Sequence, residues 1–147
     1  MTTVYNIIIY IERKLDNIMN KEGLLNLLKE LELPEGEYYI LGGGSLVMFG
    51  IKELTGDLDL CVSEELFEKL RQKYNLLEEN KNACGFYNIS NAIEVVPNKK
   101  DNFNYEIIDG YSVENLEQIL TFKKKRSVPK DISDIEKIEK YLDKREN

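Results

Sequence analysis

The sequence predicts an α/β (α+β) domain in which helices pack on one small mixed β-sheet. Three observations carry that prediction. Segments with apolar residues every three or four positions alternate along the chain with short segments of period two. Clusters of Gly, Pro, Asn and Asp punctuate them. A length of 147 residues is enough for one hydrophobic core and too short for two comfortable ones. The chain therefore reads as one domain over 1–147, with N-terminal helices in 1–33, a sheet core in 38–110 and C-terminal helices in 113–147.

The elements follow in order. Val4, Ile7, Ile8, Ile11, Leu15, Ile18 and Met19 recur at helical spacing and predict a first amphipathic helix, weakened near its end by Gly23. Leu24, Leu25, Leu28 and Leu31 predict a second. Pro34-Glu35-Gly36 is a turn before the β-prone Tyr38 to Leu41. Gly42, Gly43 and Gly44 come next, and Ser45 is placed to cap a short helix through Leu46 to Phe49 that Gly50 stops.

Leu58, Leu60 and Val62 alternate with Asp57, Asp59 and Cys61, the period of a strand with one face in the core. The two aspartates then share the other face. Ser63 with Glu64 and Glu65 starts a helix, since a hydroxyl caps it and acids suit its positive end. Short strands are expected at Leu76-Leu77, Gly85 to Ile89, Ala92 to Val96 and Tyr105 to Ile108, separated by Asn-rich bends. After Asp109-Gly110 a helix is expected from Val113 to Phe122 and a last one from about Asp131 to Lys144.

Composition narrows the function. Hydrophobic residues make up 42% and charged residues 32%, spread evenly enough to argue against disorder. The early run Ile7 to Ile11 is far too short to span a bilayer and lacks the basic start and cleavage site of a signal peptide. With two cysteines, Cys61 and Cys84, neither in a Cys-x-x-Cys pair, a disulfide scaffold and a zinc knuckle are not expected, and a cytoplasmic location is. A net charge of -7 argues against broad binding to nucleic acid while leaving room for a local basic site. Histidine is absent, which removes Ser-His-Asp triads, Cys-His pairs and histidine-ligated metals. Acid-base and metal chemistry must fall to carboxylates, lysines, tyrosines or thiols.

Asp57 and Asp59, on one strand face after a glycine turn, suit a magnesium ion, which takes oxygen ligands from one or two carboxylates plus phosphate and water. The alternative is a solvated polar face. Glu94 lies among Ala92, Ile93, Val95 and Val96, where an unpaired carboxylate would be costly to bury, so it faces solvent, a cation or a metal. A strand placed beside that of Asp59 makes it the third acid of a site, able to orient a hydroxyl or take its proton. Gly42 to Gly44 let backbone approach a phosphate, and the Ser45 hydroxyl can donate to one. Lys123 to Arg126 and Lys130 form a basic run that suits a solvated helix end and can also neutralise phosphate.

The order Gly-Gly-Gly-Ser, short helix, Thr55-x-Asp57-x-Asp59-Leu60 and a later strand with Glu94 resembles the nucleotidyltransferase superfamily of the DNA polymerase β type. The resemblance is greatest to its small bacterial members, the minimal nucleotidyltransferases and the AbiEii-type toxin-antitoxin relatives. It implies a polymerase β-like fold in which Gly43, Gly44 and Ser45 hold a nucleoside triphosphate. Asp57, Asp59 and Glu94 would bind two magnesium ions, with manganese as the alternative metal. Lys123 and the stretch Pro129-Lys130-Asp131-Ile132-Ser133-Asp134-Ile135 look like the lysine and the Arg-Pro-Lys-Asp-x-x-Asp-Ile pattern of those members, which makes Lys123 and Lys130 phosphate or structural contacts. Where many relatives carry an arginine two residues before the threonine, this chain has Glu53.

Two functions are expected from this reading. The first is magnesium-dependent transfer of a nucleoside monophosphate to an acceptor hydroxyl on a small molecule, an RNA end or a protein side chain. The acceptor would be held by this domain, a second copy in a homodimer, or a protein partner. The second, motivated by Glu53, is a non-catalytic nucleotide- or partner-binding module, of antitoxin or regulatory type, that keeps the fold.

Overall fold

A computed structural model describes Val4 and residues 18–146 of the chain. The first expected helix lies outside the described residues except for Val4, Ile18 and Met19. Neither Ile18 nor Met19 is helical. Met19 instead forms an antiparallel bridge with Thr55, exchanging two backbone hydrogen bonds of 2.9 Å.

The described elements are α1 (Lys21–Glu30), β1 (Tyr38–Ile40), α2 (Gly42–Met48), β2 (Leu58–Ser63), α3 (Glu64–Lys73), β3 (Tyr87–Asn88), β4 (Ile93–Asn98), β5 (Tyr105–Ile108), β6 (Tyr111–Glu114), α4 (Leu116–Arg126) and α5 (Ile132–Glu146). The fold class is the mixed α/β one expected. The six strands form one sheet in the order β3-β4-β2-β1-β6-β5. β2 runs parallel to β4, and β1 parallel to β6, while β1–β2, β3–β4 and β5–β6 are antiparallel.

Local signals explain most boundaries. Asn20 caps α1 by accepting from the Gly23 amide at 2.9 Å, so Gly23 belongs to the first turn of this helix and not to the end of an earlier one. Leu24 and Leu28 are its buried face. Ser63 caps α3 by accepting from the Leu66 amide at 3.0 Å. Leu58, Leu60 and Val62 are fully buried in one core that also takes Ile93 and Val95 of β4, Val113 of β6 and Ile138 of α5. Burial of this apolar surface, worth about 25 cal/mol per Å², holds helices and sheet together. Cys61 and Tyr39, register partners on the other face of the sheet, are buried as well. Burial pushes the Tyr39 hydroxyl up to about 12 and raises the Cys61 thiol, so both stay protonated at neutral pH.

Two elements depart from the expectation. Leu76-Leu77 is not a strand; Leu76 is buried between the end of α3 and a 3-10 turn at Glu78–Asn80. The expected helix start at Val113 is instead the end of β6, which extends the sheet past residue 110. Asp109 (φ 52) and Gly110 (φ 85) form the two-residue turn of the β5–β6 hairpin, and a turn with both φ positive matches the twist of its strands. Asn115 then caps α4, accepting from the Glu117 amide at 2.9 Å. Among the described residues no helix is long and apolar enough to cross a membrane.

Candidate active site

Parallel pairing of β2 and β4 sets Leu58 opposite Ile93, Asp59 opposite Glu94 and Leu60 opposite Val95. The leucines, Ile93 and Val95 are buried, so the period of two turns Asp59 and Glu94 together to the opposite face, where both are half-buried. Neighbouring strands are about 4.8 Å apart, which makes these two carboxylates immediate neighbours. Asp57 lies two residues before Asp59 in the loop leading into β2, also half-buried. On the far side of Glu94, antiparallel pairing places Asn88 of β3 in register. The sheet thus carries a polar row of Asn88, Glu94 and Asp59. Asn88 was not legible as a member of this row, because its place depends on β3 pairing with β4.

The glycine turn adjoins this row. The Leu41 amide, last before the turn, donates to the Asp59 carbonyl at 2.8 Å. Gly42 has φ +52, a left-handed conformation that disfavours a side chain. Gly43 and Gly44 have packing reasons. A Cβ on Gly43 would stand 2.6 Å from Thr55 Oγ1, and one on Gly44 would stand 2.8 Å from Ile40 Cγ2. Close approach at Gly43 brings the loop of Thr55 and Asp57 against the turn, and the Thr55 hydroxyl donates to the Asp57 carbonyl at 3.3 Å.

Ser45 departs from its expected capping role. The helix already starts at Gly42, the N-cap is Leu41, and Ser45 lies wholly buried in the first turn of α2. Its hydroxyl donates to the Glu114 carbonyl at 2.8 Å, tying α2 to β6. The Glu114 carboxylate in turn accepts from the Gly42 amide at 2.9 Å and from Gln118 Nε2 at 2.6 Å. A carboxylate therefore engages the backbone donor that a phosphate would seek. Sequence reasoning passed over Glu114 because it lies 72 residues from Gly42 along the chain.

Lys123 lies on α4 with 12% of its side chain exposed, its Nζ 3.2 Å from Asp131 and 3.2 Å from Asp134. Arg126 grips the same Asp131 through Nε at 2.8 Å and a terminal nitrogen at 2.7 Å. Asp131 is buried, and the Arg126 hydrogen bonds, helped by Lys123, hold its carboxyl below the usual range against the opposing effect of burial. Lys52 reaches Asp134 at 3.7 Å, so the loop toward Asp57 is tied to α5. Lys130 is exposed on the 3-10 turn Pro129–Asp131. The structure thus gives Lys123 an anchoring environment and leaves Lys130 at the surface.

The donor set of Asp57, Asp59 and Glu94 is all oxygen, the chemistry magnesium selects. Among the described residues no group of three or more His, Cys, Asp or Glu stands close enough to hold a metal ion. Like-charged carboxylates repel at short range. What the backbone does bring together is the Asp59–Glu94 pair, with Asp57 in the adjoining loop. Comparison with models of protein families, with curated proteins and with solved structures finds no match. Fold and site together define a mixed α/β protein with an acidic pair beside a strand-to-helix glycine turn.

Proposed function

We propose that the chain is a nucleotidyltransferase of the polymerase β type that moves a nucleoside monophosphate from a triphosphate to an acceptor hydroxyl. The observation that carries the reading is the register of Asp59 with Glu94, beside a glycine turn whose preceding residue, Leu41, donates its amide to the Asp59 carbonyl. Asp57, Asp59 and Glu94 are the residues that would hold magnesium, which when bound offsets the negative charge of the triphosphate and of the leaving group.

The chain's own groups do the rest. Gly43, Gly44 and the amides of the α2 turn position the β- and γ-phosphates, at a helix end whose dipole favours anions. Ser45 sets the turn by clamping α2 to β6. Glu94 orients the acceptor hydroxyl and takes its proton as the oxygen forms a bond to the α-phosphorus. The bond from that phosphorus to the bridging oxygen breaks, and pyrophosphate leaves with the electron pair. Lys123, held between Asp131 and Asp134, braces the α4–α5 corner and through Asp134 and Lys52 the loop before Asp57.

A specific observation favours a second reading. The Glu114 carboxylate on the Gly42 amide competes with phosphate for the same donor, as suits a non-catalytic nucleotide- or partner-binding module. Calorimetric titration with nucleoside triphosphates and magnesium, followed by a pyrophosphate-release assay over an acceptor panel, separates the two. Binding with release supports transfer, binding without release across the panel supports the module, and no binding at all contradicts both.

A further inference from the structure

β5 closes one end of the sheet, and among the described residues no strand or bridge pairs with its outer side. The Asn104 carbonyl accepts from the Asn115 amide at 3.3 Å. By the alternation of an antiparallel ladder, Glu106 and Ile108 then also turn their backbone polar groups toward β6, while Tyr105 and Ile107 turn theirs outward. An open edge of this kind is a template for another strand, and proteins block it with lysine, proline, a bulge or a covering element. β5 carries no lysine or proline, and its register with β6 is unbroken. The side chains beside the open backbone groups are apolar. Tyr105 is 44% exposed and Ile107 59%, and they are the strand residues among the exposed large hydrophobic side chains described. The Tyr39 ring, 5.8 Å from that of Tyr105, already orders the tyrosine.

We propose that β5 is the seam of a homodimer, pairing antiparallel with β5 of a second copy about a twofold axis at Glu106. Only residues with outward backbone groups can exchange hydrogen bonds across the seam. Centring the axis on Glu106 sets Tyr105 opposite Ile107 of the second copy, and Ile107 opposite its Tyr105. Both pairs exchange backbone hydrogen bonds, and both are aromatic on β-branched contacts, which stabilise a sheet. The edge thus complements itself in side chain as well as backbone. Charge favours the same occupant. Glu106 turns to the helix side with Val113, where Arg145 donates to it at 2.9 Å, and Asp109 pairs with Lys21. The edge is therefore locally balanced in a chain of net charge -7, and two copies meet there without the repulsion of their other surfaces. The two Glu106 carboxylates approach across the axis, each beside its own Arg145, which offsets the cost of like charges placed opposite. Residues opposed across a seam share a face, so both acidic pairs would open on one side of a joined sheet, with the two β2 strands roughly 34 Å apart at about 4.8 Å per strand step. A seam of four residues is at the small end of specific interfaces, below about 1,200 Å², and predicts a weak dimer.

The test is sedimentation velocity of the full chain from about 5 to about 500 μM, a range that brackets a weak dimer. Wild type is expected to pass from monomer to dimer across it. Ile107→Pro removes an amide that points away from β6, so the β5–β6 ladder stays intact, and it is expected to weaken the dimer at least tenfold. Ile107→Glu leaves the backbone donor in place and is expected to do the same, with circular dichroism checking that both variants are folded. Register is read by crosslinking. Residues opposed without hydrogen bonds have Cα atoms about 4.5 Å apart, within reach of a disulfide, so E106C/C84S treated with oxidised glutathione is expected to form a covalent dimer. K29C/C84S, with its cysteine on the exposed side of α1, is expected to stay monomeric on a non-reducing gel. A wild type that is monomeric at the highest concentration, Ile107 variants that dimerise like wild type, or crosslinking of K29C/C84S as readily as E106C/C84S would overturn the proposal. A wild type that stays monomeric yet takes up an extended peptide at this edge would likewise overturn it in favour of a foreign strand. None of these measurements depends on the function proposed above, and dimerisation without nucleotide transfer would defeat that function alone.

Discussion

Asp59 and Glu94 face each other across two neighbouring parallel strands, each flanked along its own strand by buried apolar residues. A one-residue slip of β2 against β4 would turn one carboxylate into the core, so the hydrophobic pattern that stabilises the sheet also fixes the pair.

Magnesium is therefore expected to stabilise the protein through this site. A ligand at 100 times its dissociation constant adds about 2.7 kcal/mol, and thermal unfolding with and without magnesium measures it. Wild type should show a higher midpoint with the metal, D59N and E94Q little change. With no metal present, E94Q should be as stable as wild type or more so, by up to about 1 kcal/mol, because like charges opposite one another destabilise a sheet.

Gly44→Ala forces a methyl to within 2.8 Å of Ile40 Cγ2, and overpacking of this kind costs about 1–3 kcal/mol. Gly43→Ala instead strikes the Thr55 hydroxyl. Urea unfolding should show the loss in stability for G44A, while G43A should show weaker magnesium or nucleotide binding as well, because its clash displaces the loop carrying Asp57.

Glu114→Gln removes the negative charge from the Gly42 amide. If triphosphate binds at that donor, calorimetry should show nucleotide affinity rising about fivefold, with stability lower by about 1 kcal/mol for the weakened hydrogen bonds. Unchanged affinity would place the phosphates elsewhere on the turn.

Asp131 supplies an acid-sensitive contribution to stability. Its carboxyl is held below the usual value, near 3.9 in an unfolded chain, chiefly by Arg126. The contribution is fully present above that unfolded value and is lost as pH falls through the lower folded one. Asp131→Asn should therefore remove part of the loss of stability on acidification. At pH 7, D131A should cost about 3 kcal/mol, since Lys123 is left in a poorly exposed site without that partner. Urea midpoints between pH 7 and pH 3 measure both.

Much of this architecture could be read from local pattern. The alternation of Leu58, Leu60 and Val62 marked β2, and Ser63 before two glutamates marked α3. What escaped depended on partners distant in the chain. Val113 reads equally as a helix or a strand residue, and only pairing with Ile40 and Glu106 makes it a strand; the Asp109-Gly110 turn was the one local signal. Ser45 has the chemistry of a cap, but the backbone carbonyl of Glu114 claims its hydroxyl. Lys123 stood out as a charge, while its anchors, Asp131 and Asp134, follow from the α4–α5 corner. Asp57 and Asp59 were legible from spacing, and Glu94 from a carboxylate among apolar neighbours. Their juxtaposition came from strand order.

The most direct test of the central claim is release of labelled pyrophosphate from nucleoside triphosphate with magnesium, for wild type and for Asp57→Ala/Asp59→Ala. The account predicts at least a hundredfold loss in the double variant at an unfolding midpoint close to wild type in metal-free buffer. Release by the double variant at the wild-type rate would contradict it.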